Sequence, residues 1–151
     1  MKTRIREARL RASLAVNAEL IGRYWQTGRD ILERQGRDGW GARVVDRLAV
    51  DLRAEFPGMR GFSRANLLYM RAFAEAWPDP AIVQRVVGQL PWGQNIELLT
   101  KLKEPAARLW YAEATLGFCQ GSRPRHRNEQ FRRYIRAVVQ SESGMLRGRT
   151  Q

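Results

Sequence analysis

Pro57-Gly58 and Gly61-Phe62-Ser63 stop one amphipathic segment and start another within a few residues, so two helices must follow one another across a short turn. Pro57 has no amide hydrogen to donate and disfavours helical dihedrals at Phe56, which ends the first helix firmly. Ser63 then stands where its hydroxyl can accept the free amide of Ala65 or Asn66. The helix it opens should run to about Trp77, where Pro78-Asp79-Pro80 stops it. On a helical wheel Leu67, Met70, Phe73, Ala74 and Trp77 gather on one side, and Arg64, Leu68, Arg71 and Glu75 gather opposite. The helix carries one stripe to bury and one that bears arginine.

The rest of the chain reads as helix too. From Arg4 to about Arg34 there is no proline, and Leu10, Leu14, Ile21, Tyr24 and Ile31 recur at steps of three, four and seven. Gly22 and Gly28 each cost this long first helix about 1 kcal/mol against alanine, which implies tertiary support or a closely packed neighbour. Two glycines and Asn17 favour packing within the domain over a coiled-coil seam. The cluster Gln35-Gly36-Arg37-Asp38-Gly39 should break the helix. A second helix follows from about Gly41 to Phe56, with Val45, Leu48, Ala49, Leu52 and Phe56 on one side and Arg43, Asp46, Arg47, Val50 and Ala54 on the other. Ala81 to Gln89, Asn95 to Leu102 and Pro105 to Leu116 read as shorter helices, with a break at Leu90-Pro91-Trp92-Gly93. The β-branched pairs Ile82-Val83 and Val86-Val87 sit at helical spacing, and no Asn-Gly or Asp-Gly turn supports a hairpin. The expected fold is all-α: five to six helices around a helix-turn-helix, winged-helix-like, with little or no strand.

Charge divides the chain differently. The 151 residues carry a net charge of +12. Residues 1–11 hold five basic and one acidic residue, for +4, and residues 119–151 hold eight basic and two acidic, for +6. The body between them is nearly neutral, so a polyanion contact within it must come from a local arrangement of arginines. Residues 1–118 are expected to form the helical domain. Residues 119–151 form an arginine-rich tail, expected to be disordered or partly helical, with Phe131 to Val139 as a basic amphipathic segment. A single cysteine, Cys119, cannot form an internal disulfide, the first residues lead into charge instead of a signal region, and no run of about 18 apolar residues exists. A cytoplasmic protein without membrane association is expected.

A set of spaced motifs carries a family resemblance. Asn17-Ala18-Glu19-Leu20-Ile21, Tyr24-Trp25 with Gly28, Gly39-Trp40-Gly41, Asp51-Leu52, Phe56-Pro57, Gly61-Phe62-Ser63, Asn66-Leu67 and Met70-Arg71 resemble the N-terminal domain of YhcG-type proteins. The later Gln89-Leu90-Pro91-Trp92, Leu98-Leu99 and Trp110-Tyr111 fit the same pattern, over about residues 14–118. The resemblance implies a domain like a winged helix-turn-helix that precedes a PDDEXK nuclease. Two departures stand out. Gly93-Gln94 replaces a small polar residue and a histidine, and an arginine-rich tail follows Phe118 where the family continues towards its nuclease. A truncated or frame-shifted relative is the expectation.

No catalytic constellation accompanies these motifs. A PDDEXK centre needs carboxylates to hold Mg²⁺ and a lysine near them to polarise water. Lys2 has no acid beside it, and Lys101 and Lys103 lie at a predicted helix end beside the surface charges Glu97 and Glu104. One histidine, His126, and one cysteine cannot make a zinc cage, and no glycine-bearing stretch has a phosphate-binding fingerprint. Neither enzymatic activity nor a metal or cofactor is expected. The expected role is a non-catalytic module for double-stranded DNA. Arg64 and Arg71 would be the groove-facing donors, Arg60 the flanking phosphate contact, Ser63 the helix end offering free amides, and Leu68 an apolar contact for a thymine methyl. The alternative is a protein-interaction or assembly module, docking a nuclease subunit or a second copy through Leu68 and the long first helix. Trp25, Trp40, Trp77, Trp92 and Trp110 read as core anchors and helix-junction plugs, with Trp40 the one that could instead stack on a base.

Overall fold

The computed structural model describes residues 1–38, 41–119 and 133, and every regular element among them is helical. Helix α1 spans Lys2–Asp38, α2 Gly41–Glu55 and α3 Arg64–Ala76; α4, Pro80–Arg85, leads into a 3-10 turn at Val87–Gln89, and α5, Trp92–Lys101, precedes α6, Pro105–Cys119. The all-α expectation holds. The β-branched pairs fall in α4 and the turn after it, and no strand occurs among the described residues. Trp40, His126 and the basic tail, apart from Cys119 and Arg133, lie outside the described residues.

One expected boundary is displaced. The helix does not break at Gln35-Gly36, because α1 continues through both to Asp38. Glycine permits a turn without requiring one, and among the described residues only Gly61 takes a positive φ. Arg37 pairs with Glu33 one turn earlier at 3.1 Å, a contact that supports the helix across Gly36.

The chain forms two compact units, Met1–Pro91 and a second beginning at Trp92. In the first, α3 lies mainly along α1, and α2 packs on both. The core holds Ile21 and Ile31 from α1, Val45 and Ala49 from α2, and Leu67, Met70, Phe73 and Ala74 from α3, closed at one end by Trp77, Val83, Val87 and Leu90. The α3 stripe is the one expected from the wheel, whereas Leu10, Leu14 and Phe56 of the other two expected stripes are exposed and Leu48 and Leu52 are half-buried. Phe73 is fully buried, and burial of such a ring is worth about 3–5 kcal/mol against alanine.

What sets the approach of α1 and α3 is Gly28. A Cβ there would collide with the backbone carbonyl of Met70 and stand 2.8 Å from the Ala74 Cβ, so only a hydrogen fits at the crossing. Two polar contacts hold the ends of the same assembly. The Trp25 indole donates to the Trp77 carbonyl at 2.7 Å, which satisfies an acceptor at the end of α3. The Asn17 amide donates to the carbonyls of Leu90, at 3.0 Å, and Gly88, at 3.3 Å, tying α1 to the 3-10 turn.

In the second unit α5 and α6 pack together, with Leu98, Leu102 and Ala112 buried. Arg108 donates through Nε to the Leu102 carbonyl at 2.6 Å, closing the connection between the two helices. Trp110 is exposed, and its ring meets Tyr111 edge-on at 4.8 Å. The expectation that every tryptophan plugs a core fails at this position.

The two helical glycines separate cleanly. Gly28→Ala should destabilise the domain by about 3 kcal/mol or more, since the clash is with backbone that cannot repack. A methyl group at Gly22 would meet nothing within 4 Å, so Gly22→Ala should stabilise by about 0.5–1 kcal/mol through helix propensity. Urea unfolding followed by circular dichroism checks both signs.

Candidate nucleic-acid interface

The turn between α2 and α3 is built by its own sequence. Met59 donates its amide to the Phe56 carbonyl at 3.0 Å, and the rings of Phe56 and Phe62 meet across the turn at 6.1 Å. Gly61 has φ +109°, a conformation that residues with a side chain reach only with strain, and a Cβ there would also crowd the Tyr24 hydroxyl at 2.9 Å. Ser63 is the N-cap of α3, and its hydroxyl accepts the Asn66 amide at 3.2 Å, one of the two partners expected. The Asn66 side chain donates back to the Gly61 carbonyl at 2.7 Å. Gly61, Ser63 and Asn66 thus form one locked helix start, which fixes where Arg60 and Arg64 leave the backbone.

The expected contact residues differ in how available they are. Arg60 is exposed in the turn, and Ser63 is exposed with its hydroxyl oxygen engaged in the cap. Arg64 reaches the surface but is not free. Its Nε donates to the Asp46 carboxylate of α2, with the side chains 54% and 51% exposed. At that exposure the ion pair contributes at most about 1 kcal/mol, so a stronger anion can displace it.

Arg71 differs. It is half-buried, its Nε is out of solvent with no hydrogen-bond acceptor, and no ion pair forms with Glu75. Leaving such a donor unsatisfied costs about 1–3 kcal/mol. Leu68 is half-buried, where the wheel alone places it on an exposed face. Helix α3 is flanked by both α1 and α2.

Two residues of this surface escape sequence reasoning. Asp46 lies 18 positions before its partner, and its only signal is membership of the polar stripe of α2. Asn66 reads from sequence as a recipient of the cap, while its second role is hinted at by the tendency of asparagine side chains to bond nearby backbone. Chemically, the surface offers arginine donors, a helix N-terminus and a partly covered leucine. Among the described residues no group of three or more histidines, cysteines, aspartates or glutamates is placed to hold a metal ion, and no helix is long and apolar enough to cross a membrane.

The family follows from the whole arrangement of motifs. The chain belongs to the DUF1016 N-terminal domain family. Its match spans residues 1–132, which bears out the resemblance to the N-terminal domain of YhcG-type proteins and extends it in both directions. At the start the match takes in the opening turns of α1, and at the end it continues past Phe118 into the arginine-rich stretch. No curated protein and no solved structure matches the chain. For this DUF1016 N-terminal domain, membership fixes the kind of domain and leaves the chemistry to be argued from the surface.

The locked helix start gives a stability test. Ser63→Ala should cost about 1 kcal/mol by removing the cap. Asn66→Ala should cost a similar amount, about 1 kcal/mol, because the Gly61 carbonyl loses its donor. Thermal melting of the two single variants and the double variant checks the values, and the double should fall short of their sum because both act on one turn.

Proposed function

We propose that this DUF1016 N-terminal domain binds double-stranded DNA without catalysis, using α2, the turn and α3 as a helix-turn-helix. In this reading α3 lies in the major groove with Arg64 and Arg71 towards the bases and phosphates, while Arg60 and the Ser63 end of the helix meet the flanking backbone. Leu68 meets a thymine methyl at the part of its surface left uncovered. The observation that carries the reading is the locked helix start, in which Gly61, Ser63 and Asn66 fix the exposed Arg60 and Arg64 at one end of α3.

The same reading gives Asp46 a role. As the partner of Arg64 it holds the guanidinium in place before DNA arrives, and phosphate competes with it on contact. In this role Asp46 sets affinity from the other side of the ion pair. The basic residues of 1–11 add sequence-independent attraction that falls with salt.

Duplex binding measured by fluorescence anisotropy tests the proposal. Arg64→Ala and Arg71→Ala should each weaken binding by about ten- to a hundredfold, as expected for loss of a base or phosphate contact worth about 1–3 kcal/mol. Asp46→Ala should tighten it severalfold by removing both a competing anion and a negative charge. Affinity should also fall by orders of magnitude between about 50 and 200 mM salt if several phosphates are contacted. Unchanged affinity in both arginine variants, with the fold intact by circular dichroism, overturns the assignment.

A further inference from the structure

The apolar seam of α1 is longer than the body it packs against. Asn17, Ile21, Tyr24, Gly28 and Ile31 follow one another at steps of four, three, four and three, and Ile21, Gly28 and Ile31 are buried. Running the same register towards the N-terminus gives Leu14 and Leu10, which are 41% and 47% exposed. Every residue from Met1 to Val16 is exposed, so the seam leaves the domain at Asn17, where the side chain closes on the carbonyls of Gly88 and Leu90. What remains is an arm of about four turns, a length at which an isolated helix is marginal in water. Such an arm gains stability from a helix laid over its leucines.

Charge decides which helix. In the register that puts Leu10 and Leu14 at the seam, the flanking positions are Arg4, Arg6, Arg11 and Ser13, with no acidic residue among them, and the next seam positions towards the N-terminus are the polar Glu7 and Thr3. Flanking positions set partner choice in paired helices. A second copy of this chain, in either orientation, would place arginine against arginine along the seam. An opposing helix with glutamate or aspartate at those positions would instead pair with each one. The arm as a whole agrees, since residues 1–11 carry five basic residues against Glu7.

We propose that residues 2–16 of α1 are a docking arm for an acidic, amphipathic helix of a separate protein, with Leu10 and Leu14 as the apolar contacts and Arg4, Arg6 and Arg11 as the charge selectors. This stands on the first half of α1 and is independent of the arginines of α3.

The test uses the full chain and a synthetic helix of about four heptads with leucine at the seam and glutamate at every flanking position, beside a twin with lysine in place of glutamate. The acidic peptide should bind and the lysine twin should not. The neutral double variant Leu10→Gln, Leu14→Gln should bind the acidic peptide at least tenfold more weakly, with unchanged melting of the domain and unchanged affinity for duplex DNA. Four results would overturn the proposal. One is absence of binding to the acidic peptide. A second is equal binding by the double variant, which would reduce the contact to charge alone. The third is sedimentation showing that the chain self-associates and that the double variant abolishes this, which would assign the seam to a second copy. Loss of DNA affinity in the double variant would likewise transfer the arm to nucleic acid, whereas Arg64→Ala and Arg71→Ala address the α3 surface separately.

Discussion

The approach of α1 to α3 at Gly28 is the constraint on which the first unit depends. With no side chain at that point, the backbone of α3 comes close enough for Met70 and Ala74 to be sealed and for Phe73 to be fully buried. The Trp25 indole then reaches the Trp77 carbonyl, and Tyr24 comes within reach of the Gly61 turn. Enlarging residue 28 would shift α3 relative to the tyrosine and tryptophan that precede it on α1. Because α2 packs against both of its neighbours, its placement follows from the same crossing.

From that frame the arginine surface acquires its asymmetry. Arg64 issues from the first turn of a helix whose start is locked by Gly61, Ser63 and Asn66, and it is neutralised locally by Asp46. Arg71 issues two turns later, where α3 lies between its two neighbours, and it has no acid to meet. One cation is accessible and occupied, while the other is partly shielded and unoccupied. A ligand that engaged both would have to displace a carboxylate at one end and supply an acceptor at the other, which a polyanion with regularly spaced charges does in one step.

Local features are largely legible in the sequence, and relations between distant residues are not. Pro57 as a stop, Ser63 as a cap and the buried stripe of Leu67, Met70, Phe73 and Ala74 follow from chemistry within a few residues of each position, and the structure reproduces them. The wheel cannot reveal that Leu68 is half-covered. Nor can it distinguish Gly22, which meets nothing, from Gly28, which meets the Met70 carbonyl, since both read as equal costs to one helix. The continuation of α1 through Gly36 is hidden for the converse reason: turn-forming composition states what the backbone can do, and the energy of an uninterrupted helix decides what it does. At the candidate surface, residue types and spacing indicate Arg64 and Arg71, while the Asp46 pairing requires the fold.

Because α1 is unbroken from Lys2 to Asp38, the exposed leucines and the Gly28 crossing share a single axis. Leu10 precedes Gly28 by 18 residues, about 27 Å at the rise of an α-helix, so leaning that axis by about 5° at the crossing displaces Leu10 by about 2 Å. The crossing has no side chain at Gly28, so the backbone of α3 at Met70 lies directly against that axis.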